Sequence, residues 1–210
     1  MKNTKREFII NELMVEHFIE KEGHIIYLEE TEDSGKSILK FKVVSHESLC
    51  IKNVDFKNTL LHFFQKDKKQ SMFKRVDHII FERLSDNDWK LHLVEMKSAV
   101  GNEKWIEVKG KFRASYLLAQ GIAAMLEMNI VDTCMYTTYE SVHLSLPETM
   151  PTARRLPLGV KQIKPQDEWD GADFGLNFGT RIQFMHKPIK MERHGDVLEG
   201  VHNCSLSEQF

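Results

Sequence analysis

Two acidic residues and a lysine lie close together in a stretch that has the pattern of a strand hairpin. Asp77 stands in a first apolar run, residues 75–83, and Glu95 and Lys97 stand in a second, residues 89–98. Carboxylate oxygens are the ligands that hard cations such as Mg²⁺ prefer. A lysine beside such a cation can position an attacking water and offset charge on a phosphorane-like transition state. The three side chains could therefore cleave a phosphodiester by in-line attack.

The length of the hairpin loop decides whether these side chains share a face. Side chains alternate along a strand, so Glu95 and Lys97 point the same way. A five-residue loop over 84–88 sets Asp77 level with Glu95, and a three-residue loop sets it level with Lys97. A four-residue loop would turn Asp77 to the other face unless a bulge corrected it. Either odd-length loop puts the three charges at one end of an apolar face. That face consists of Ile79, Phe81, Leu91 and Leu93.

A solvated surface is the competing interpretation of these three residues. A Glu-x-Lys pair on an exposed strand contributes little to stability, and a lone Asp is often a surface residue. Asp is depleted in strand interiors, however, and Asp77 has apolar neighbours on both faces, as in a covered sheet. A charge in a covered sheet needs hydrogen bonds or a metal, so we favour a functional site.

Asp77, followed after the hairpin by Glu95-Met96-Lys97 and then by a helix, resembles the PD-(D/E)XK superfamily of phosphodiesterases and nucleases. The resemblance is specific over residues 75–120, and Val76 replaces the usual proline. It implies an α/β fold, a mixed β-sheet flanked by helices with the αβββαβ core of restriction endonucleases. It also implies that Asp77 and Glu95 hold Mg²⁺ or Mn²⁺ and that Lys97 assists the attacking water. The backbone carbonyl of Met96 could add a ligand.

A first helix is predicted from Asn3 or Thr4 to about residue 21, with Gly23 as its stop. It carries a glutamate stripe at positions 12, 16 and 20. A solvated face is one interpretation of that stripe. The resemblance implies another, in which Glu12 or Glu16 reaches the metal, and Glu16 is the predicted ligand.

A long helix is predicted over residues 103–128, and it carries a polar stripe. The stripe consists of Lys109, Arg113, Tyr116 and Gln120. Lys109 and Arg113, with Tyr116, could contact substrate phosphates, and Gln120 could orient water or the lysine. Alternatively, Gln120 is a packed polar group satisfied by a neighbour. In one branch of the resembled superfamily a Gln precedes a Tyr on this helix, whereas here the order is reversed.

A basic run precedes the first motif strand and includes Lys66, Lys68 and Lys69. Lys68 and Lys69 are predicted to contact nucleic-acid phosphates, where cations bind by releasing counterions. The alternative is a solvated loop.

The remaining pattern gives strands at 24–29, 37–44 and 131–139, a further short strand at 142–146, and a short helix at 56–65. We expect residues 1–146 to form the nuclease-like core. All five prolines of the chain lie in residues 147–210. That segment is predicted to be an irregular C-terminal extension with one strand near residues 181–185, frayed from about residue 192.

Composition fits a soluble globular protein, and the length of 210 residues suggests one domain or one domain with an appendage. The net charge of −2 gives no global polybasic signal, but it allows a local basic groove. Three widely spaced cysteines argue for a reducing, cytoplasmic setting rather than a disulfide framework. No apolar run approaches the roughly 20 residues that span a membrane, so no membrane partner is expected.

These observations predict a metal-dependent nuclease with Mg²⁺ or Mn²⁺ as cofactor and nucleic acid as partner, DNA favoured over RNA. The oligomeric state is left open, with a homodimer as one option. The size of the chain suggests a role in host defence, repair, phage or mobile elements. One alternative is a non-catalytic module of the same fold that binds nucleic acid or protein. A third alternative is a structural or assembly protein with no nucleic-acid role.

Overall fold

The computed structural model describes residues 4–14, 19–32, 35–52, 54, 71–145 and 164–204. The helices in these ranges are α1 (Lys5–Phe8), which continues as a π-helical turn (Ile9–Leu13), α2 (Asn102–Met125) and α3 (Pro165–Trp169). The strands are β1 (Ile19–Glu22), β2 (Ile25–Glu32), β3 (Gly35–Lys42), β4 (Ser48–Ile51), β5 (His78–Arg83), β6 (Asp88–Glu95), β7 (Ala99–Gly101), β8 (Asn129–Tyr139), β9 (Ser141–His143), β10 (Gly175–Asn177), β11 (Arg181–Gln183), β12 (Met185–Lys190), β13 (Glu192–His194) and β14 (Val197–Asn203).

The central sheet is mixed, and its strand order is β1-β4-β5-β6-β8-β12. Strands β4, β5 and β6 pair antiparallel, whereas β8 runs parallel to β6 and β12 runs parallel to β8. A parallel pair needs a crossover connection, and α2 supplies it between β6 and β8. The protein is therefore a mixed α/β fold, as the sequence predicts at this coarser level.

Both faces of the central sheet are covered. On one face, α2 packs through a buried stripe that includes Trp105, Val108, Phe112 and Ala119. On the other face lies a second sheet, with the order β13-β14-β3-β2. Its Leu28, Phe41 and Leu198 share a core with the back of the central sheet. Because both faces are covered, β5 and β6 are buried almost throughout, and this burial includes charged side chains on both strands.

The predicted first helix is only partly correct. Thr4 caps α1 as expected: its hydroxyl accepts a hydrogen bond from the Glu7 amide, and the Glu7 carboxylate accepts one from the Thr4 amide. Ile19–Glu22 is not the end of that helix but strand β1, paired antiparallel with β4. Pairing with a neighbouring strand here overrides the local helical periodicity, which is a weak prior. Strand β4 itself was not predicted from the sequence.

The remaining sequence predictions for residues 1–146 divide into two groups. The hairpin of β2 and β3, helix α2 and strand β8 are confirmed within a few residues of their predicted ends. The predicted strand at 142–146 is β9, which pairs with β7. The short helix predicted at 56–65 lies outside the described residues.

The C-terminal segment is not the irregular extension that its prolines and glycines suggested. Within residues 164–204, β12 joins the central sheet and β14 joins the second sheet. Pro188 is compatible with β12 because that strand lies at the edge of its sheet, where a missing N–H is tolerated. Gly179 and Gly195 have positive φ in the turns that join β10 to β11 and β13 to β14. The described part of this segment thus completes both layers.

Candidate active site

The hairpin of β5 and β6 has the five-residue register, which is one of the two that the sequence allows. His78 pairs with Val94 and Arg83 with Trp89, so the two numbers of each pair add to 172. Asp77, the residue before β5, is therefore level with Glu95 at the end of β6. The four apolar residues predicted for this face all belong to the core beneath α2. The strands thus bring Asp77 and Glu95 together at one end of that core.

Both carboxylates are buried, but they are satisfied to different degrees. The Oδ2 atom of Asp77 accepts a 2.6 Å hydrogen bond from the Met96 amide, and Asp77 is 4% exposed. Glu95 is fully buried. Its Oε1 atom lies 2.9 Å from the Lys97 amine and 2.7 Å from the Lys111 amine. Its Oε2 atom has no hydrogen-bond partner in the described part of the chain. One oxygen of a fully buried carboxylate is therefore left without a donor.

Two lysines, rather than the one that was predicted, neutralise this pair. Lys97 follows β6, and its amine also donates to the Met96 carbonyl at 2.8 Å. The Thr138 hydroxyl holds the Lys97 backbone through its amide and its carbonyl. Lys111 comes from α2, and its amine also lies 3.8 Å from Asp77 Oδ1. The cluster therefore contains two negative and two positive groups, which we call the Asp77–Glu95 cluster.

The charges of the cluster do not cancel at Glu95. Burial, and then the nearby Asp77 carboxylate, raise the pKa of Glu95 to about 7, although both lysines act to lower it. Burial alone would lower the pKa of Lys111, but Glu95 and Asp77 outweigh it and raise that pKa. Near neutral pH, Glu95 is consequently divided between its protonated and ionised forms, while Lys111 stays charged.

The donor set fits a hard divalent cation. Asp77 and Glu95 offer carboxylate oxygens, and Met96 offers a carbonyl. Mg²⁺ commonly uses only one or two protein carboxylates and completes its shell with waters and substrate phosphates. Among the described residues no group of three or more His, Cys, Asp or Glu side chains could hold a metal. Glu16, the predicted additional ligand, lies outside the described residues.

The predicted polar stripe on α2 does not face the Asp77–Glu95 cluster. Residues of an α-helix advance by about 100° each, so Lys109, Arg113 and Gln120 lie about half a turn around the helix from Lys111. Gln120 is also about 13 Å further along the axis at 1.5 Å per residue. On this geometry Gln120 does not lie beside the carboxylates or Lys97, so its predicted role there is corrected. The phosphate contacts predicted for Lys109, Arg113 and Tyr116 remain predictions.

The stripe instead faces the C-terminal segment. The Lys109 amine bonds to Glu168 of α3 at 2.7 Å. The Tyr116 ring packs on Phe178 and Phe184, with centroids 5.6 and 5.0 Å away. Tyr116 is therefore part of an aromatic contact with the C-terminal segment. Lys68 and Lys69 lie outside the described residues.

Lys111 was missed because the apolar face of α2 has polar residues along both of its edges, and the sequence does not show which edge lies beside the carboxylates. Lys111 follows Val108 by three residues and precedes Ser115 by four, and both of these are fully buried. The Ser115 hydroxyl accepts a 2.8 Å hydrogen bond from the Val76 amide, which fixes this border of α2 beside Asp77. That spacing is the signal that could have identified Lys111.

A second buried charge lies on the opposite face of the same hairpin. Glu82 is 1% exposed, and its Oε1 atom accepts hydrogen bonds from the Val44 and Ser45 amides at 2.7 and 2.8 Å. Its Oε2 atom lies 2.8 Å from His92 Nε2, and His92 Nδ1 lies 3.1 Å from the Tyr136 hydroxyl. We call this set the Glu82–His92 cluster.

Comparison of the chain with protein-family models, with curated proteins and with solved structures found no match. None of the described helices is both long and apolar enough to cross a membrane. Function must therefore be argued from the cluster itself.

Proposed function

We propose that the protein is a divalent-metal-dependent nuclease that hydrolyses phosphodiester bonds, with DNA favoured over RNA as substrate. The observation that carries this proposal is that Glu95 is buried with one carboxylate oxygen lacking a hydrogen-bond donor among the described residues. This carboxylate is fully buried beside a second carboxylate, and its Oε2 atom is the one without a partner in those residues. Burying such an oxygen without a donor is costly. A hard cation would supply the missing partner and offset the repulsion between Asp77 and Glu95.

The fold supports the same proposal. Three antiparallel strands, β4 to β6, are followed by α2 and then by β8, which is parallel to β6. This order agrees with the βββαβ part of a restriction-endonuclease-like core. Asp77 precedes one central strand and Glu95 ends the next, as in the motif that the sequence resembles.

Each residue of the cluster has a distinct role in this proposal. Asp77 and Glu95 would hold the cation, with the Met96 carbonyl as a third oxygen. When bound, Mg²⁺ or Mn²⁺ would lower the pKa of a bound water and so supply the nucleophile. The Lys97 amine contacts Glu95 Oε1 and the Met96 carbonyl, so it lies beside both groups and can stabilise developing negative charge. Lys111 balances the charge of the two carboxylates.

A structural charge cluster is the second candidate, and one observation favours it. Both carboxylates contact a lysine, and the four charges balance without a metal. In that case the protein would be a non-catalytic module that binds nucleic acid or protein. It would neither cleave a phosphodiester nor respond to divalent cations.

Cleavage and stability measured on the same variants separate the two candidates. The full chain is incubated with DNA and RNA in Mg²⁺, in Mn²⁺ and in chelator, and its melting temperature is recorded in each. We expect cation-dependent cleavage and a higher melting temperature with cation, because a ligand of the folded state stabilises it. Glu95→Gln and Asp77→Asn should each lower cleavage by about 10²-fold or more.

Glu82→Gln is the matched control, since Glu82 is a buried glutamate on the same hairpin but on the other face. A glutamine there can still accept from the two backbone amides, so cleavage should persist wherever the variant is folded. Undiminished cleavage by Glu95→Gln, or no effect of cation on the wild-type melt, would end the nuclease proposal.

A further inference from the structure

A pocket of about 440 Å³ lies between α2 and the β10–β11 hairpin, on the side of α2 away from Lys111. Its charged lining residues are Lys109, Arg113, Arg181 and Glu168. Three positive charges against one negative charge make the lining net positive, in a chain whose total charge is −2. This volume is in the range of small-ligand sites.

The four charged groups are not equivalent. Glu168 Oε2 lies 2.7 Å from the Lys109 amine, and its Oε1 lies 3.9 Å from Arg181. Arg181 is also held by Asp173 at 2.8 Å. Arg113 has neither a hydrogen bond nor an ion pair with any residue in the described ranges, and it is half-buried. Glu168 thus fixes two cations in the wall, and Arg113 is the cation left to meet a ligand.

Gly110 keeps the space in front of Arg113 open. Gly110 lines the same pocket within α2, one turn before Arg113. A Cβ atom at Gly110 would meet nothing within 4 Å, so neither packing nor backbone contact requires a glycine. Glycine in a helix interior is destabilising relative to alanine. The space beside the arginine is therefore open at this position of α2.

We propose that this pocket is a phosphate-binding site, in which Arg113 is the main phosphate-binding residue and Lys109 and Arg181 are supporting charges. A guanidinium matches a phosphate by donating two parallel hydrogen bonds, which makes arginine suited to this role. The apolar Ile106 and Leu176 in the lining suit the sugar or base of a phosphorylated nucleoside. The site is separate from the Asp77–Glu95 cluster and would hold even if that cluster bound no metal.

Calorimetric titration of the full chain tests the site, in chelator so that nothing is cleaved. The probes are inorganic phosphate and a short single-stranded DNA carrying either a 5′-phosphate or a 5′-hydroxyl. We expect Arg113→Gln to weaken binding about tenfold, because a charge-assisted hydrogen bond is lost. Lys104→Gln removes the same charge from an exposed position of α2 outside the pocket, and it should leave binding unchanged.

Two substitutions at Gly110 sharpen the result. Gly110→Glu should abolish binding by placing a carboxylate in the open space, whereas Gly110→Ala should retain both fold and binding. Dependence on Arg113 for the 5′-phosphorylated DNA alone would identify a terminal phosphate as ligand, and equal dependence for both DNAs an internal phosphodiester. Either result supports the site. No binding of any probe, or equal losses in Arg113→Gln and Lys104→Gln, would overturn it.

Discussion

The β5–β6 hairpin buries one glutamate on each face, and the two differ in their partners rather than in their burial. Glu82 and Glu95 are 1% and 0% exposed. Burial alone would raise the pKa of Glu82, but His92 and two backbone amides outweigh it and lower that pKa. At Glu95 burial and the Asp77 carboxylate outweigh the two lysines, and the pKa of Glu95 rises to about 7.

The difference lies in what kind of donor the fold supplies. Backbone amides at Val44 and Ser45 are fixed in place by the chain and donate to Glu82 permanently. Among the residues that the structure describes, Glu95 is contacted only by lysine amines, which end long flexible side chains, and both contacts are at one oxygen. Lysines can rearrange when a ligand arrives, whereas backbone amides cannot. We therefore interpret the Glu82–His92 cluster as structural and the Asp77–Glu95 cluster as prepared for a ligand.

The largest expected effect is the loss of Glu82. Glu82→Ala leaves two backbone amides and the buried His92 without their acceptor, which should cost about 3–5 kcal/mol of unfolding free energy. Glu95→Ala should cost much less, because it also removes the repulsion with Asp77, and Lys97 and Lys111 are 12% and 14% exposed and can reach water. Urea unfolding in chelator at pH 8 measures both. Equal losses would mean that both clusters are structural.

A second, smaller effect is the pH dependence of the stability that Glu95 contributes, which is opposite in sign to that of Glu82. Its pKa in the folded state, about 7, exceeds its ordinary value of 4.5, so the folded protein keeps a proton that the unfolded chain loses. The stability contributed by Glu95 is full below pH 4.5 and is lost as pH rises to about 7, by about 3 kcal/mol in total.

Glu95→Gln lacks this titration and isolates it. In chelator, its unfolding free energy relative to the wild type should rise from pH 5 to pH 8 by about 3 kcal/mol. Other titrating groups, such as His186 with its pKa lowered to about 4 by burial, are present in both proteins and cancel in the difference. A difference that stays constant across this range would show that Glu95 is ionised throughout, as Glu82 is expected to be.

The sequence predicted one side of this comparison better than the other. Alternation along two apolar strands joined by an odd-length loop was enough to group Asp77, Glu95 and Lys97 on one face. The Glu82–His92 cluster depends on amides of the loop after β3, which come together only when the second sheet packs on the first. Lys111 depends on which border of α2 faces the carboxylates, and helical periodicity alone does not distinguish the two borders.

The C-terminal strands were missed for a related reason. Each is short, and Pro188 and the turn glycines interrupt the alternation that predicts strands. Their places at sheet edges become visible only from long-range pairing with β8 and β3. Sequence patterns thus predicted the β5–β6 hairpin and the grouping of Asp77, Glu95 and Lys97, while packing between layers determined the rest.

The smallest expected effect separates the two lysines of the Asp77–Glu95 cluster. Lys111→Met removes a cation 2.7 Å from Glu95 Oε1, so the pKa of Glu95 should rise further, by roughly one unit. The pH range over which stability is lost should move upward accordingly. Lys104→Met on the exposed side of α2 is the control and should not move it.

Cleavage assays then assign the roles. If Lys111 only balances charge, Lys111→Met should shift the pH profile of cation-dependent cleavage to higher pH and keep its plateau rate, because Glu95 ionises later but acts as before. Lys97 also contacts the Met96 carbonyl at 2.8 Å, and in our proposal it meets the reacting groups. Lys97→Met should therefore lower the plateau rate at every pH, because an interaction made in the transition state is lost. A lowered plateau in Lys111→Met with an unchanged one in Lys97→Met would exchange the roles of the two lysines and make the helix, rather than the strand, the source of the catalytic cation.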